Sequence, residues 1–484
     1  YLAGSAAIYA GVLLLTTTGL PVTLLSLGLC LAIVALAAEG WSRFTLLPRA
    51  PREETDAFDH FTWLGGWTPL YALFWLVAAW RLGTQPLTGP DVGFRWDFLA
   101  QQLAATGSLD FYPPRRAADF LQYFWAESIP PGIASLYAWT HLAGGPGPLW
   151  TMPVVLLQLL PGYELVWRLA HSWGGTIAAR WAVLLAAATP LLTWSILIGQ
   201  ETGQTAVAAG ALLWALLRWH KTKADRWVYF AALAAAAGAA TREYGLVYPL
   251  LGYFLLRLAK APDYVRLRYH LIAWPLALAW PLRVWWLTGN PFYSLSPGGW
   301  LPGNPVFALW TEHFRAAYGS SLASADGLRS ALRYFGLMAL PVLPAGIALA
   351  VHAARGLREA RWCGLLVAVF GGLWVVSVPF TAGGLFYAMR VLSPVFLLSA
   401  AFGGYALLAL GLGPKTKRLV QAGIIGLFAA TLPLTLTLPQ YAYRLEPREW
   451  PSAGRAFSDG VAAAEAELRA KLAPLPHGGQ VLTE

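Results

Sequence analysis

Charged side chains are scarce in this sequence. They make up 12% of its 484 residues, against roughly 25% in a soluble domain, and that shortage excludes an ordinary water-soluble globule. Cysteine is nearly absent. Cys30 and Cys363 lie in separate apolar runs, which leaves neither a disulfide framework nor the clustered spacing of a zinc site. Histidine is also thin: His60, His141, His171 and His313 are scattered, a spacing that supports no metal cluster; the sequence identifies no cofactor and leaves a divalent metal ion open without supporting it. The amino terminus lacks a basic stretch, a short apolar core and a small-residue cleavage site in that order, so the first helix is expected to anchor.

Apolar sequence, by contrast, is abundant. Hydrophobic residues reach 57%, and blocks approaching the roughly 20 residues that cross a bilayer recur from the first residues almost to Gln440. The expected fold class is an all-α polytopic membrane protein. Candidate spans fall at 3–17, 21–38, 66–82, 148–169, 177–196, 204–219, 227–240, 245–259, 271–288, 332–353, 362–380, 385–409 and 419–438, about thirteen crossings. Lys and Arg gather in the connections 168–180, 218–226, 257–268, 355–361 and 415–418, sixteen in all. The positive-inside bias places these on the cytoplasmic side. It also accounts for the net charge of +10 without any nucleic-acid partner. The chain then divides into a membrane hairpin with a cytoplasmic loop over 1–65, a main transmembrane module over 66–440, and a short extracytoplasmic tail over 441–484. Within the module, outer loops lie at 83–147 and 289–330. In the tail, Ser458–Leu472 can form a helix.

Parity decides two segments. Ile129–Gly145 opens with two prolines and is too short to span comfortably. If it crossed, the later basic connections would face outward, so it is expected to lie at the outer interface. Trp227–Lys260 has basic connections at both ends and must cross an even number of times, which predicts a hairpin of two short helices. Its turn, from Thr241 to Gly245, then faces protein or a water-filled cavity, because charges avoid lipid.

The candidate chemistry lies on the outer side. Asp91 follows Gly89-Pro90, and apolar residues at 92, 96, 99 and 103 form a helical stripe fit to lie on a membrane surface. Asp91 at that helix start either caps it or takes a proton from an acceptor hydroxyl. Asp97 would pair with Arg95 or with solvent. Glu201, in Gly199-Gln200-Glu201-Thr202-Gly203, is either part of a polar turn or a second outer carboxylate. Arg242 and Glu243 either satisfy one another or serve a function that repays their cost in the membrane. Arg390 opens a late helix, where its guanidinium fork suits a phosphate or reaches to lipid headgroups. Most of the 25 tryptophans fit an interfacial belt, while Trp96, Trp125 or Trp300 could stack on a sugar.

The order of these motifs resembles the GT-C superfamily of membrane glycosyltransferases, particularly bacterial relatives of the protein O-mannosyltransferases and aminoarabinose transferases. The resemblance covers most of residues 66–410 and implies a GT-C-like bundle with outer juxtamembrane helices. Asp91-Val92 and the following Arg95-Trp96-Asp97 run look like the loop that carries the family's acidic pair. Ile129-Pro130-Pro131-Gly132 is similar to its Lys-Pro-Pro-Leu run, Glu201 to its later acid, and Thr241-Arg242-Glu243-Tyr244-Gly245 to its basic-Gly turn. Gly289-Asn290-Pro291-Phe292-Tyr293 stands where the family has a similar outer-loop run, and Arg390 resembles the arginine that opens its late helix. Two positions depart from the pattern: Val92 replaces the second acid, and no lysine precedes Pro130-Pro131.

The resemblance implies transfer of a sugar from a polyprenyl-phosphate donor, outside the inner (cytoplasmic) membrane, with inversion at the anomeric carbon. Asp91 and Glu201 would be the catalytic pair, with Asp91 as base and Glu201 orienting acceptor or donor sugar. Arg242 and Arg390 would bind the donor phosphate and Glu243 would hold Arg242; Asp97, Arg95, Tyr244 and Tyr293 would support them. The acceptor stays open between glycan, lipid and protein. A transporter or flippase of lipid-linked sugars should show related halves, which are not evident here. A GT-C-like glycan polymerase or ligase would carry the same motifs.

Overall fold

The computed structural model describes residues 1–44, 68–84, 92–145, 147–296, 299–318, 321–380 and 384–441. Helices are the regular structure of the described residues, with no strand among them. The chain separates into a unit of Tyr1–Leu436 and a unit of Thr437–Glu484, and only 437–441 of the second is described. Ser458–Leu472 lies outside the described residues, as do Asp91 and His60.

Three helices, α1 (Leu2–Thr17), α2 (Leu24–Phe44) and α3 (Thr68–Thr84), precede the first outer segment. That segment begins with a π-helical turn, Val92–Trp96, followed by α4 (Asp97–Thr106), α5 (Ala117–Gln122) and α6 (Gly132–Gly144). The predicted stripe Val92, Trp96, Leu99 and Leu103 is fully buried against other protein elements. It is therefore a packing face rather than a membrane-surface face. At 13 residues, α6 rises about 20 Å, well short of the roughly 30 Å hydrocarbon core.

The long middle of the chain builds the packed interior. It contains α7 (Met152–Ala187), α8 (Pro190–Leu197), α9 (Glu201–Thr222), α10 (Arg226–Ala239), α11 (Val247–Leu258) and α12 (Asp263–Thr288). Between the spans expected at 148–169 and 177–196, α7 breaks at Gly175, whose φ of 71° is non-helical; the second span differs in ending at Ala187, after which Pro190 starts a new short helix. The expected hairpin does form, as α10 and α11 joined by a turn over 240–246. Alanines and glycines crowd α9 and α10, and small side chains let helix backbones approach closely.

Beyond the second outer segment, with α13 (Pro305–Tyr318), come α14 (Ala325–Met338), α15 (Leu343–Ala354), α16 (Arg358–Ser377), α17 (Gly384–Ala388), α18 (Ser393–Ala409) and α19 (Pro414–Tyr441). The span predicted at 332–353 is two helices bent by 90°. Among the described residues, three helices are long and apolar enough to cross a membrane, or four with the bent pair. Pro190 and the 3-10 turn Leu340–Val342 each interrupt an apolar stretch and leave shorter helices on either side. Helix α18 lies along α7, and a Cβ on Gly404 would overlap the Ala178 carbonyl. The repeated Gly-Asn-Pro turns are braced by buried asparagines: Asn290 Nδ2 donates to the carbonyls of Leu295 (2.7 Å) and Pro302 (3.0 Å), and Asn304 Oδ1 accepts from Val306 N at 3.0 Å at the start of α13.

Candidate active site

Glu201 is the first residue of α9, where the unpaired N–H groups of a helix start favour a carboxylate. It is completely buried. Its Oε1 accepts from Arg242 Nε and Nη2, both at 2.7 Å, and from Arg390 Nη1 at 2.9 Å. Residues 41 and 189 positions away therefore meet on one oxygen atom. A single carboxylate faces two guanidinium groups. This pairing revises one sequence expectation, since Arg242 is held by Glu201 rather than by its neighbour Glu243. Of the two alternatives for Arg390, the structure has the side chain, 5% exposed, pointing inward.

Arg242 has extended backbone (φ −152°, ψ 163°) just ahead of the 3-10 turn Glu243–Leu246. Its guanidinium lies 5.6 Å from the Trp96 ring. Arg390 sits in the 3-10 turn Met389–Leu392, over the Tyr387 ring at 4.1 Å. Tyr387 in turn accepts from Gln200 Nε2. Glu243 and Tyr244 occupy the same hairpin turn, half-buried, and both act electrostatically on Arg242.

A second charged pair lies in the outer segment. Arg95 Nε is 2.8 Å from Glu127 Oε2, Tyr123 donates to Glu127 Oε1 at 2.7 Å, and the Arg95 guanidinium lies 4.7 Å from the Trp125 ring. Burial pushes Glu127 up to about 7, against the opposing pull of Arg95 and Tyr123. Arg242 and Glu243 are close enough to act on the same carboxyl. Asp97 does not pair with Arg95. It accepts from His141 Nε2 at 2.7 Å and Gln101 Nε2 at 2.6 Å, which ties α4 to α6. Glu127 and His141 were missed as partners, although an acid directly after Tyr123-Phe124-Trp125-Ala126 is a recognisable signal of burial.

The double-proline run is docked on the hairpin. Gly132 N donates to Ala240 O at 3.0 Å, two residues before Arg242, and a Cβ on Gly132 would overlap that carbonyl. Just upstream, Ser128 N donates to Ser294 Oγ at 2.6 Å and Ser294 N to Ser128 Oγ at 2.9 Å, while Trp280 Nε1 donates to Ser128 O at 2.7 Å. Tyr293 is half-buried against the surrounding apolar cluster. No group of three His, Cys, Asp or Glu that could hold a metal occurs among the described residues.

No family model matches the chain, and no curated protein matches it. Solved structures do. ArnT from Cupriavidus metallidurans bound to undecaprenyl phosphate is 20% identical with a TM-score of 0.52, over 82% of this chain and 70% of that one. The apo structure of the same protein is 21% identical with a TM-score of 0.52, over 82% and 69%. The chain thus shares the fold of ArnT, in agreement with the GT-C resemblance carried by the order of its motifs.

Proposed function

We propose that the protein transfers a sugar from a polyprenyl-phosphate donor to an acceptor on the extracytoplasmic side of the membrane, with inversion. The observation that carries this reading is the convergence of Arg242 and Arg390 on Glu201 Oε1. Two guanidinium groups brought together on one carboxylate oxygen present planar forks side by side, a geometry that suits phosphate oxygens. A fold shared with a protein crystallised with undecaprenyl phosphate supports the same ligand class.

In this reading the acceptor hydroxyl attacks the anomeric carbon and gives its proton to Asp91. The bond from that carbon to the donor phosphate breaks, and the phosphate leaves with the electron pair. Arg242 and Arg390 stabilise its growing charge. They take over from the lysine missing before Pro130-Pro131. Glu201, occupied by both arginines, holds the clamp together rather than acting as a base. Glu243 and Tyr244 border the clamp, and Arg95 with Glu127 fixes the wall beneath Trp125.

The test is binding of undecaprenyl phosphate to the purified chain. Arg242→Gln and Arg390→Gln should each weaken it at least about tenfold, the scale of one charge-assisted hydrogen bond. Unchanged affinity in both variants would end the phosphate-clamp reading.

A further inference from the structure

We infer that the end of the bundle opposite Glu201 binds the headgroups of anionic phospholipids. Helix α9 connects the two ends. Its 22 residues rise about 33 Å, the depth of a hydrocarbon core, from Glu201 at one end to Thr222 at the other.

Three connections meet at that far end. The α9–α10 connection carries Arg218, Lys221, Lys223 and Arg226; the α11–α12 connection carries Arg257, Lys260, Arg266 and Arg268; the α15–α16 connection carries Arg355, Arg358 and Arg361. Side-chain contacts join them. Arg268 pairs with Asp225, which links α12 to the α9–α10 connection, and Arg358 Nη1 donates to His220 Nε2 at 2.7 Å, which links α16 to α9. Only Asp225, Asp263 and Glu359 oppose the eleven cations in these segments, and each already has an arginine partner. Apart from these pairs, Lys221, Lys223, Arg257, Lys260, Arg355 and Arg361 are exposed at this end.

Backbone conformation adds an independent sign. Among the described residues, Lys223 (φ 56°) and Lys260 (φ 54°) are the only non-glycine residues with positive φ, and both stand just after a helix end, at α9 and α11. Glycine is the residue that such positions favour, because a Cβ is strained there. Both positions carry a cation instead, on the same face. Strain of this kind persists where the surroundings use it.

Adjacent surface selects lipid over a soluble anion. Lys223 Nζ lies 4.7 Å from the Trp219 ring, and Arg218 and Arg226 lie 5.5 and 5.4 Å from Trp227, the pairing of aromatic and cation typical of a membrane interface. Phe254, Leu258, Leu267 and Leu271 are exposed beside the same turns, where acyl chains would cover them. Basic clusters flanking apolar helices attract anionic headgroups by roughly fivefold in affinity per charge.

The experiment uses the full chain in neutral detergent, with dioleoyl phosphatidylglycerol and dioleoyl phosphatidylcholine as probes and retained lipid read by native mass spectrometry. The parent should retain phosphatidylglycerol preferentially. Lys223→Gly with Lys260→Gly should lower that retention roughly twentyfold, yet melt no lower than the parent in lipid-free detergent, since glycine relieves both strained positions. Lys223→Arg with Lys260→Arg should keep the binding. Equal retention by the glycine and parent proteins would overturn the proposal. So would loss of binding in the arginine variant, or displacement of the lipid by inorganic phosphate at equal concentration.

Discussion

Glu201 illustrates how a single side chain organises this protein. It accepts from two arginines on one oxygen while fully buried, and breaking a buried ion pair by removing one partner costs about 3–5 kcal/mol. Glu201→Gln should therefore lower the melting temperature markedly and weaken undecaprenyl-phosphate binding as the arginines separate. A variant with parental stability and binding would show that the cluster is not a unit. Asp91→Asn should behave differently, losing about 10²–10⁴-fold in turnover while donor binding stays, measured with the same lipid; parental turnover would pass the base to another carboxylate. Glu127 adds a pH dependence. Its carboxyl is raised from an ordinary value of 4.5 to about 7 by burial, so folding takes up a proton there. The stabilisation is complete below about pH 4.5 and is lost as the pH rises through about 7. Thermal melts across that window should fall with pH in the parent and flatten in Glu127→Gln.

At the level of elements, the decisive joint is between α6 and the α10–α11 hairpin. Gly132 N bonds to Ala240 O with no room for a methyl group between them, and the next turn begins with Arg242. Gly132→Ala must move one backbone away from the other. The expected cost is about 1–3 kcal/mol, the range for forced overpacking, seen as a lower melting temperature, together with reduced undecaprenyl-phosphate binding because Arg242 shifts with the hairpin. Unaltered melting and binding would mean that the joint does not position the arginine. The α4–α6 contact works in parallel, since Asp97 reaches across to His141. Both joints hold a short helix that has too few residues to hold itself in a membrane.

For the molecule as a whole, the buried cluster of Glu201, Arg242 and Arg390 lies at one end of α9 and basic connections lie at the other. If Ile129–Gly145 lies at the outer interface, Gly147 faces outward and the sixteen clustered Lys and Arg face the cytoplasm, as the positive-inside bias requires. Gly147→Cys, with Cys30 and Cys363 replaced by Ser, should react with an impermeant maleimide added outside intact cells. Labelling only after the cytoplasmic side is opened would reverse the orientation and move the candidate site to the other face.

Much of this was legible in the residues themselves. Scarce charge and recurrent apolar blocks determine an all-α membrane protein, because buried backbone in lipid must satisfy its own hydrogen bonds. The spacing of basic loops determines a hairpin over 227–260, and the motif order points to Asp91, Glu201, Arg242 and Arg390 as candidates. Pairing was decided only in three dimensions. Glu243 is adjacent to Arg242 in sequence, yet Arg242 has extended backbone ahead of the 3-10 turn that Glu243 begins, and the arginine's partner is Glu201, 41 residues away. The stripe at 92, 96, 99 and 103 has the same period whether it meets lipid or protein, and only packing against α6 within a larger apolar cluster makes it interior. Span lengths, too, depended on breaks at Pro190 and between Met338 and Leu340, because hydropathy measures the cost of leaving water and is indifferent to where a helix bends.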